Sequence, residues 1–136
     1  MLKPKVDGMT LVELLIVFAI LGLLVSLVGP TAYRQLERTR AQEEWLTLER
    51  ATRDLAFQSY LRGVNTTVEF SGTQLTWRSE DGVSKRLLFE HLFFDPSVST
   101  VITPNGIFDR DRVTLSQRGR PRELALNAWV ESGRSP

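Results

Sequence analysis

Cysteine is absent from all 136 residues. That absence excludes a disulfide framework, thiol catalysis and any cysteine-based metal site. Histidine is nearly absent as well: His91 is the single copy. It sits inside the apolar run Leu87 to Phe94, LLFEHLFF, where a packed or edge residue fits better than a general base. No glycine-rich phosphate loop and no nucleophile motif occurs. Carboxylates can be paired on paper anywhere, so the chain reads as a non-enzyme, with no catalytic residue, metal or cofactor expected. A surplus of one charge is also missing. Setting Lys3, Lys5 and Asp7 aside from 17 basic and 16 acidic side chains leaves 15 of each, so bulk charge gives no argument for nucleic acid. No internal repeat or low-complexity tract stands out, and only the tail Glu131–Pro136 reads as loose. This length leaves room for one membrane helix and one small soluble domain.

What the chain has in abundance is an apolar run from Met9 to Gly29, MTLVELLIVFAILGLLVSLVG. As a helix its ~21 residues reach roughly 31 Å, enough to cross the hydrocarbon core of a bilayer. Thr10, Glu13 and Ser26 are the polar interruptions. A carboxylate at the centre of a membrane helix costs about 2.5–3.5 kcal/mol, which makes Glu13 a candidate functional residue. The eight residues before the run, MLKPKVDG, carry Lys3 and Lys5 and end in Gly8. An ordinary secretory signal places its small-residue cleavage site after a run of about 7–15 apolar residues. Here the run is longer, its far end SLVGPTA offers no good site, and the small residue precedes it. The two lysines favour a cytoplasmic amino end by the positive-inside rule.

A short basic leader, then Gly8, then Met9-Thr10-Leu11-Val12-Glu13 opening an apolar helix, resembles a type IV prepilin leader. Gly22 and Pro30 also fall where pilin-like sequences commonly carry a glycine and a helix-bending proline. Met9 departs from the usual phenylalanine, though other apolar residues are tolerated there. The resemblance implies that prepilin peptidase cuts between Gly8 and Met9 and methylates the new amine of Met9. The anchor would stay on the mature chain. It implies a single-pass protein of the bacterial inner membrane, with its amino end cytoplasmic and its carboxy-terminal domain periplasmic.

Cleavage would create a positive amine at Met9, roughly 6 Å along the helix from Glu13. In a bundle of low dielectric, a carboxylate meeting such an amine on its own or a neighbouring subunit interacts far more strongly than in water. A wrong register would leave both charges unpaired, so Glu13 is expected to enforce subunit stagger during assembly.

From Thr31 to Arg62 neither glycine nor proline occurs, and the sequence predicts a helix stopped by Gly63. Ala41, Trp45, Leu48, Thr52 and Leu55 trace a buried stripe. With Leu55, Ala56, Phe57, Tyr60 and Leu61 the helix turns apolar over most of its girth near its end, which is therefore expected to be the buried one. The charged start (Arg34, Glu37, Arg38, Arg40, Glu43, Glu44) suggests a solvated face or one open to neighbouring subunits. Pro30, lacking an amide donor, is expected to bend or open the joint, with Gly22–Pro30 a candidate stretch for melting on assembly.

Strands are predicted at Thr66–Phe70, Gln74–Arg78, Val83–Phe94, Ser99–Thr103, Arg112–Gln117 and Glu123–Val130. Turns are expected at Glu80-Asp81-Gly82, Pro104-Asn105-Gly106 and Gly119-Arg120-Pro121. The LLFEHLFF run, apolar on both faces, suggests a central strand covered by the helix. The expected fold is therefore α+β and pilin-like, a long amino-terminal helix packed on a small antiparallel β-domain. Its parts are a leader at 1–8, a transmembrane helix at 9–30, an amphipathic helix at 31–62 and a β-rich periplasmic domain at 63–136.

The order helix, strands, then ITPNG and RVTLSQRGRPRELALNAW resembles the H-type minor pseudopilins of type II secretion and the related FimT-type minor pilins. This implies a structural subunit that helps to initiate or cap a fibre driving protein export. Its partners would be other pseudopilins or pilins, prepilin peptidase and an inner-membrane assembly platform. An alternative comes from Arg118, Arg120 and Arg122. Arginine forks phosphate well, and related competence pilins bind DNA through arginine-bearing loops that Gly119-Arg120-Pro121-Arg122 resembles. Asn105, Asp109 and Asp111 offer three oxygen donors, but their spacing does not follow an EF-hand loop and Arg110 and Arg112 interleave. A solvated turn is the better reading of these three.

Overall fold

A computed structural model describes Gly8 and residues 10–133. The leader residues Met1–Asp7, the methylation candidate Met9 and residues 134–136 of the predicted loose tail lie outside the described residues. The chain divides into two compact units, residues 1–38 and 39–136, with the boundary inside the first helix.

That helix, α1, runs from Leu11 to Arg62, 52 residues, and Pro30 lies within it. Every residue from Gly22 to Pro30 is helical. Pro30 still leaves the carbonyl one turn back, on Ser26, without its usual donor. The first unit is this apolar stretch, with Leu11, Phe18, Leu23 and Leu27 all more than 60% exposed. Such side chains are stable against hydrocarbon and not against water, as in a membrane anchor.

In the second unit the predicted stripe is buried: Ala41, Trp45, Leu48, Thr52 and Leu55, joined by Ala56 and Ser59. The end of the helix is buried on that face alone. Phe57, Tyr60 and Leu61 are 42%, 56% and 65% exposed, because only one face of α1 meets the sheet. The helix stops in a Schellman geometry. Gly63, at φ +62°, donates its amide to the Tyr60 carbonyl, and Val64 donates to the Ser59 carbonyl.

Six strands follow: β1 (Thr66–Gly72), β2 (Gln74–Ser79), β3 (Ser84–Leu88), β4 (Leu92–Ile102), β5 (Arg112–Gln117) and β6 (Arg120–Ala125). They form one antiparallel sheet in the order β3-β2-β1-β4-β5-β6. β4 holds the sheet together. Its later residues pair with β1, as in Ile102 with Thr66, while Leu92 and Phe93 pair with Gln117 and Ser116 of β5. Between Phe70 and Gly72 the β1 register shifts against β4, where the Asp95–Pro96 peptide is cis.

The architecture is the α+β one expected, with three corrections in the sheet. LLFEHLFF is not one central strand. It divides into the end of edge strand β3 and the start of inner strand β4, broken at Phe89-Glu90-His91. Ser99–Thr103 is no separate strand but the continuation of β4. The last predicted strand ends early at Ala125, and Ala128–Glu131 forms a single helical turn, α2. There the Asn127 side chain acts as a strand partner for Phe108, accepting from its amide and donating to its carbonyl, each at 3.0 Å. This seats Trp129 edge-on to Phe108, with ring centroids 6.0 Å apart.

The core lies between the helix stripe and one face of the sheet. Leu48, Ala56, Val68, Phe70, Leu75, Ile102 and Leu126 have no exposed surface, and Phe94 meets Phe70 edge-to-face at 5.2 Å. A buried chain of hydroxyls links three elements. Ser59 donates to Thr66 at 2.7 Å, and Thr66 and Ser79 share a bond of 2.9 Å. No buried side-chain nitrogen or oxygen among the described residues lacks a partner, as the cost of an orphaned polar group demands.

The Pro104-Asn105-Gly106 turn presses on α1. A Cβ at Gly106, φ +77°, would come 3.0 Å from the Ala56 carbonyl oxygen and 3.2 Å from Tyr60 Cβ, whereas Gly119, also at φ +77°, has open space around it. Left-handed backbone costs an L-residue about 1–2 kcal/mol at either place. Gly106→Ala should therefore lower stability clearly more than Gly119→Ala in thermal or denaturant unfolding. Equal losses would show that the turn does not bear on the helix.

Candidate functional site

The amino-terminal site begins with the helix start. Thr10 and Glu13 stand three residues apart, the spacing of a capping box. The Thr10 amide donates to Glu13 Oε2 at 3.1 Å, and the Glu13 amide donates to Thr10 Oγ1 at 3.3 Å. The Leu14 amide donates to the Thr10 carbonyl at 3.0 Å, closing the first helical turn. Glu13 therefore has a local role that reasoning about assembly did not include, although the T-x-x-E spacing was visible in the sequence. Its carboxyl group also lies at the helix end that favours an anion. Gly8 is exposed, and a Cβ there would meet nothing.

The second candidate is the arginine turn. Gln117 pairs with Arg120, which leaves Arg118-Gly119 as a two-residue hairpin loop. Both residues have positive φ, 52° and 77°, the signature of a type I′ turn. The expected turn at Gly119-Arg120-Pro121 is therefore displaced, with Arg120 and Pro121 inside β6. Arg118 and Arg120 are exposed. Arg122 is half-buried: its guanidinium lies 3.5 Å from the centroid of the Trp45 ring and donates to Gln117 Oε1 at 2.6 Å. Gln117 in turn donates to the Ala41 carbonyl at 2.8 Å. This places Arg122 in a bracket that fastens the hairpin to the helix. Beside the turn lies a shallow concavity of about 260 Å³, lined by His91, Phe93, Ser116, Arg118 and Gly119 among others.

The oxygen donors considered for calcium are turned to local partners. Asp109 Oδ1 accepts from the Thr100 hydroxyl and, at 3.0 Å, from the Val101 amide. The Thr100 bond, then the Val101 amide, hold its carboxyl below the ordinary range. Asp111 Oδ1 accepts from Asn127 Nδ2 at 2.9 Å, and Asn105 is exposed in its turn.

One cluster was not legible in the sequence. Glu44, placed among the solvated charges, reaches across to the break between β3 and β4. Its Oε1 accepts from the Glu90 amide at 2.9 Å and its Oε2 from the His91 amide at 2.8 Å. His91 Nδ1 lies 3.2 Å from Oε1, a bond that needs the proton on that nitrogen. The carboxylate satisfies two amides that no strand partner reaches, which is why the apolar run can break there. Among the described residues Glu44, Glu90 and His91 bring one ligand-type atom each within 4.8 Å of the others. Since both Glu44 oxygens already serve donors, the cluster is a clamp between helix and sheet.

Comparison with known proteins adds one match. Residues 3–29 match the family described as the prokaryotic N-terminal methylation motif, the prepilin signal of type IV pilin-like proteins, which prepilin peptidase processes. No curated protein and no solved structure matches the chain.

Burial raises the Glu44 pKa, but the Glu90 and His91 amides and the His91 side chain outweigh it and hold the group below its ordinary 4.5. The unfolded chain then binds the proton more readily, so the contribution of Glu44 is complete above about pH 4.5 and fades as pH falls through the folded value. Glu44→Gln keeps one acceptor oxygen but turns an amino group toward the other amide, and should lose about 1–3 kcal/mol at neutral pH, the cost of that amide left without its acceptor. It should also flatten the acid limb of the stability curve measured by denaturant unfolding. An unchanged acid limb would show that the clamp does not couple to folding.

Proposed function

We propose that this protein is a minor pseudopilin, a non-enzymatic structural subunit of a type II secretion pseudopilus that helps to initiate or cap the fibre. The observation that carries the reading is the succession of Gly8, a capped helix start at Thr10 and Glu13, an exposed apolar stretch and a small one-sided β-domain. An anchor that remains attached after cleavage can pass from lipid to the centre of a fibre, since both are apolar. Processing would leave a charged amine at Met9 in the region of Glu13. In a fibre, Glu13 would exchange its capping bond for that amine or a neighbour's. The partners are other pseudopilins, prepilin peptidase and an inner-membrane assembly platform, with the β-domain facing the periplasm.

A second reading rests on the arginine turn. Arg118 in the tight loop and Arg120 at the first position of β6 are both exposed at one hairpin end, an arrangement suited to forking the phosphates of DNA during uptake. Under this reading Arg122 fastens the loop while Arg118 and Arg120 touch DNA.

Mass spectrometry of the membrane-extracted product should find a chain beginning at methylated Met9 when prepilin peptidase is present. A full-length precursor, or a chain starting beyond Pro30, overturns the reading. Glu13→Ala should insert and be cleaved normally yet fail to assemble; normal assembly would remove the proposed role.

The DNA reading predicts that the full chain in detergent micelles retards double-stranded DNA in a salt-dependent way. Arg118→Ala and Arg120→Ala should each lower the slope of log affinity against log salt by about 1. Binding that is absent, or indifferent to both substitutions, removes that reading.

A further inference from the structure

We propose that the free edge of β3 docks an extended, acidic segment of a different subunit, which adds to the sheet as a further strand. The assignment of the partner as a fibre subunit rests on the fibre reading above. The docking chemistry rests on β3 itself.

β3 ends the sheet and pairs only with β2 among the described residues. In an antiparallel pair, alternate residues turn their amide and carbonyl groups toward the partner. Two bonds flanking the strand set the phase: the Phe89 amide donates to the Thr73 carbonyl and the Ser79 amide donates to the Val83 carbonyl, both at 2.8 Å. Counting by two from Val83 and Phe89, Lys85 and Leu87 face β2. Ser84, Arg86 and Leu88 therefore direct their amides and carbonyls away from the sheet. None of the three is proline, so the outward row keeps every donor and acceptor.

The opposite edge differs. The Leu126 amide donates to the Asp111 carbonyl at 2.7 Å, which puts Leu124, Arg122 and Arg120 on the β5 side. Pro121, Glu123 and Ala125 face outward from β6, and Pro121 has no amide to offer. A proline on an edge blocks strand addition. One edge of the sheet is blunted and the other is left complete.

The side chains on the complete edge choose the occupant. Ser84, Lys85, Arg86 and Leu88 are exposed, Leu88 to 64%. Among the described residues neither Lys85 nor Arg86 has an ion-pair partner. Arg78 lies diagonally across from Arg86, opposite Ser84, and adds a third exposed cation. A second copy of β3 laid antiparallel about the middle of the strand would set Arg86 against Arg86, and like charges directly opposite destabilise a pair. An acidic residue at that place would instead meet Arg86, with Arg78 adding to the positive charge one strand further in, and an apolar one would cover Leu88. Main-chain bonds would supply affinity and these side chains specificity, as in other strand additions.

The probe is a synthetic peptide in which valine and glutamate alternate, set beside a twin with lysine for glutamate. Both are added to the full chain in detergent micelles, and amide hydrogen exchange is followed residue by residue. The glutamate peptide should slow exchange at Ser84, Arg86 and Leu88 several-fold, and the lysine twin should not. Arg86→Pro removes one outward donor without touching the β2 ladder and should abolish the protection. Arg86→Glu should transfer the preference to the lysine twin, and gives a readout even if the proline variant does not fold. Equal protection by both peptides, protection elsewhere only, or full protection in Arg86→Pro would each overturn the proposal. Leader cleavage and fibre incorporation of the wild-type chain are scored separately. A chain that is cleaved and incorporated but shows no peptide protection overturns the edge proposal alone. Protection without cleavage overturns the fibre reading and its choice of partner.

Discussion

The burial of one stripe of α1 against one face of a single sheet is the constraint on which the second unit depends. Trp45, Leu48, Leu55 and Ala56 form one cluster with Phe70, Leu75, Phe94, Ile102 and Leu124. A six-stranded sheet with a lone long helix has no other means of covering its apolar face. Everything else serves this contact. Gly106 lets a loop approach the Ala56 carbonyl, Ser59 passes a hydroxyl bond into β1 and β2, and Gln117 reaches the Ala41 carbonyl. At its far end, Arg62 meets Asp81 of the β2–β3 turn at 2.8 Å.

A one-sided core also explains what stays exposed. The outer face of the sheet alternates polar residues such as Thr67, Glu69 and Arg78, while the last turns of α1 show Phe57, Tyr60 and Leu61 to solvent. The two charged clusters follow the same logic. Glu44 ends where β3 and β4 part because two amides there have no ladder partner, and Arg122 covers Trp45 because the ring lies at the edge of the stripe. A guanidinium stacked on indole contributes about 0.5–2 kcal/mol. Arginines close in sequence thus divide into different tasks: Arg122 lies far enough along β6 to reach Trp45, while Arg118 and Arg120 stay exposed at the hairpin end.

The same separation of tasks extends to the amino-terminal half of α1. The apolar start of α1 supplies a surface equally at home in lipid and in a helical bundle. Glu13, held in a capping box, brings a carboxyl group into that surface without leaving the Thr10 amide unsatisfied. In the second unit the buried hydroxyl chain and the break between β3 and β4 find their partners within the chain.

Much of this was legible in the sequence, for physical reasons. A helix stripe at 3.6-residue spacing, a stop at Gly63 and a strand at Arg112–Gln117 are local matters, set by periodicity, backbone freedom and alternation within a few residues. The membrane-compatible length and the prepilin-like register of Gly8 and Glu13 are likewise properties of linear order. The division of LLFEHLFF was not legible, because the apolar residues on both sides of Glu90 promise a continuous strand. Only the arrival of Glu44 from 46 residues away makes a break affordable. The turn at Arg118-Gly119, the helical ending at Ala128 and the separation of Arg122 from Arg118 and Arg120 also depend on partners distant in the chain. Sequence determines which segments are helical, apolar or extended, since those preferences arise between neighbours. The tertiary structure decides which charges clamp, which stack and which edge stays open, since those outcomes depend on what folding brings alongside.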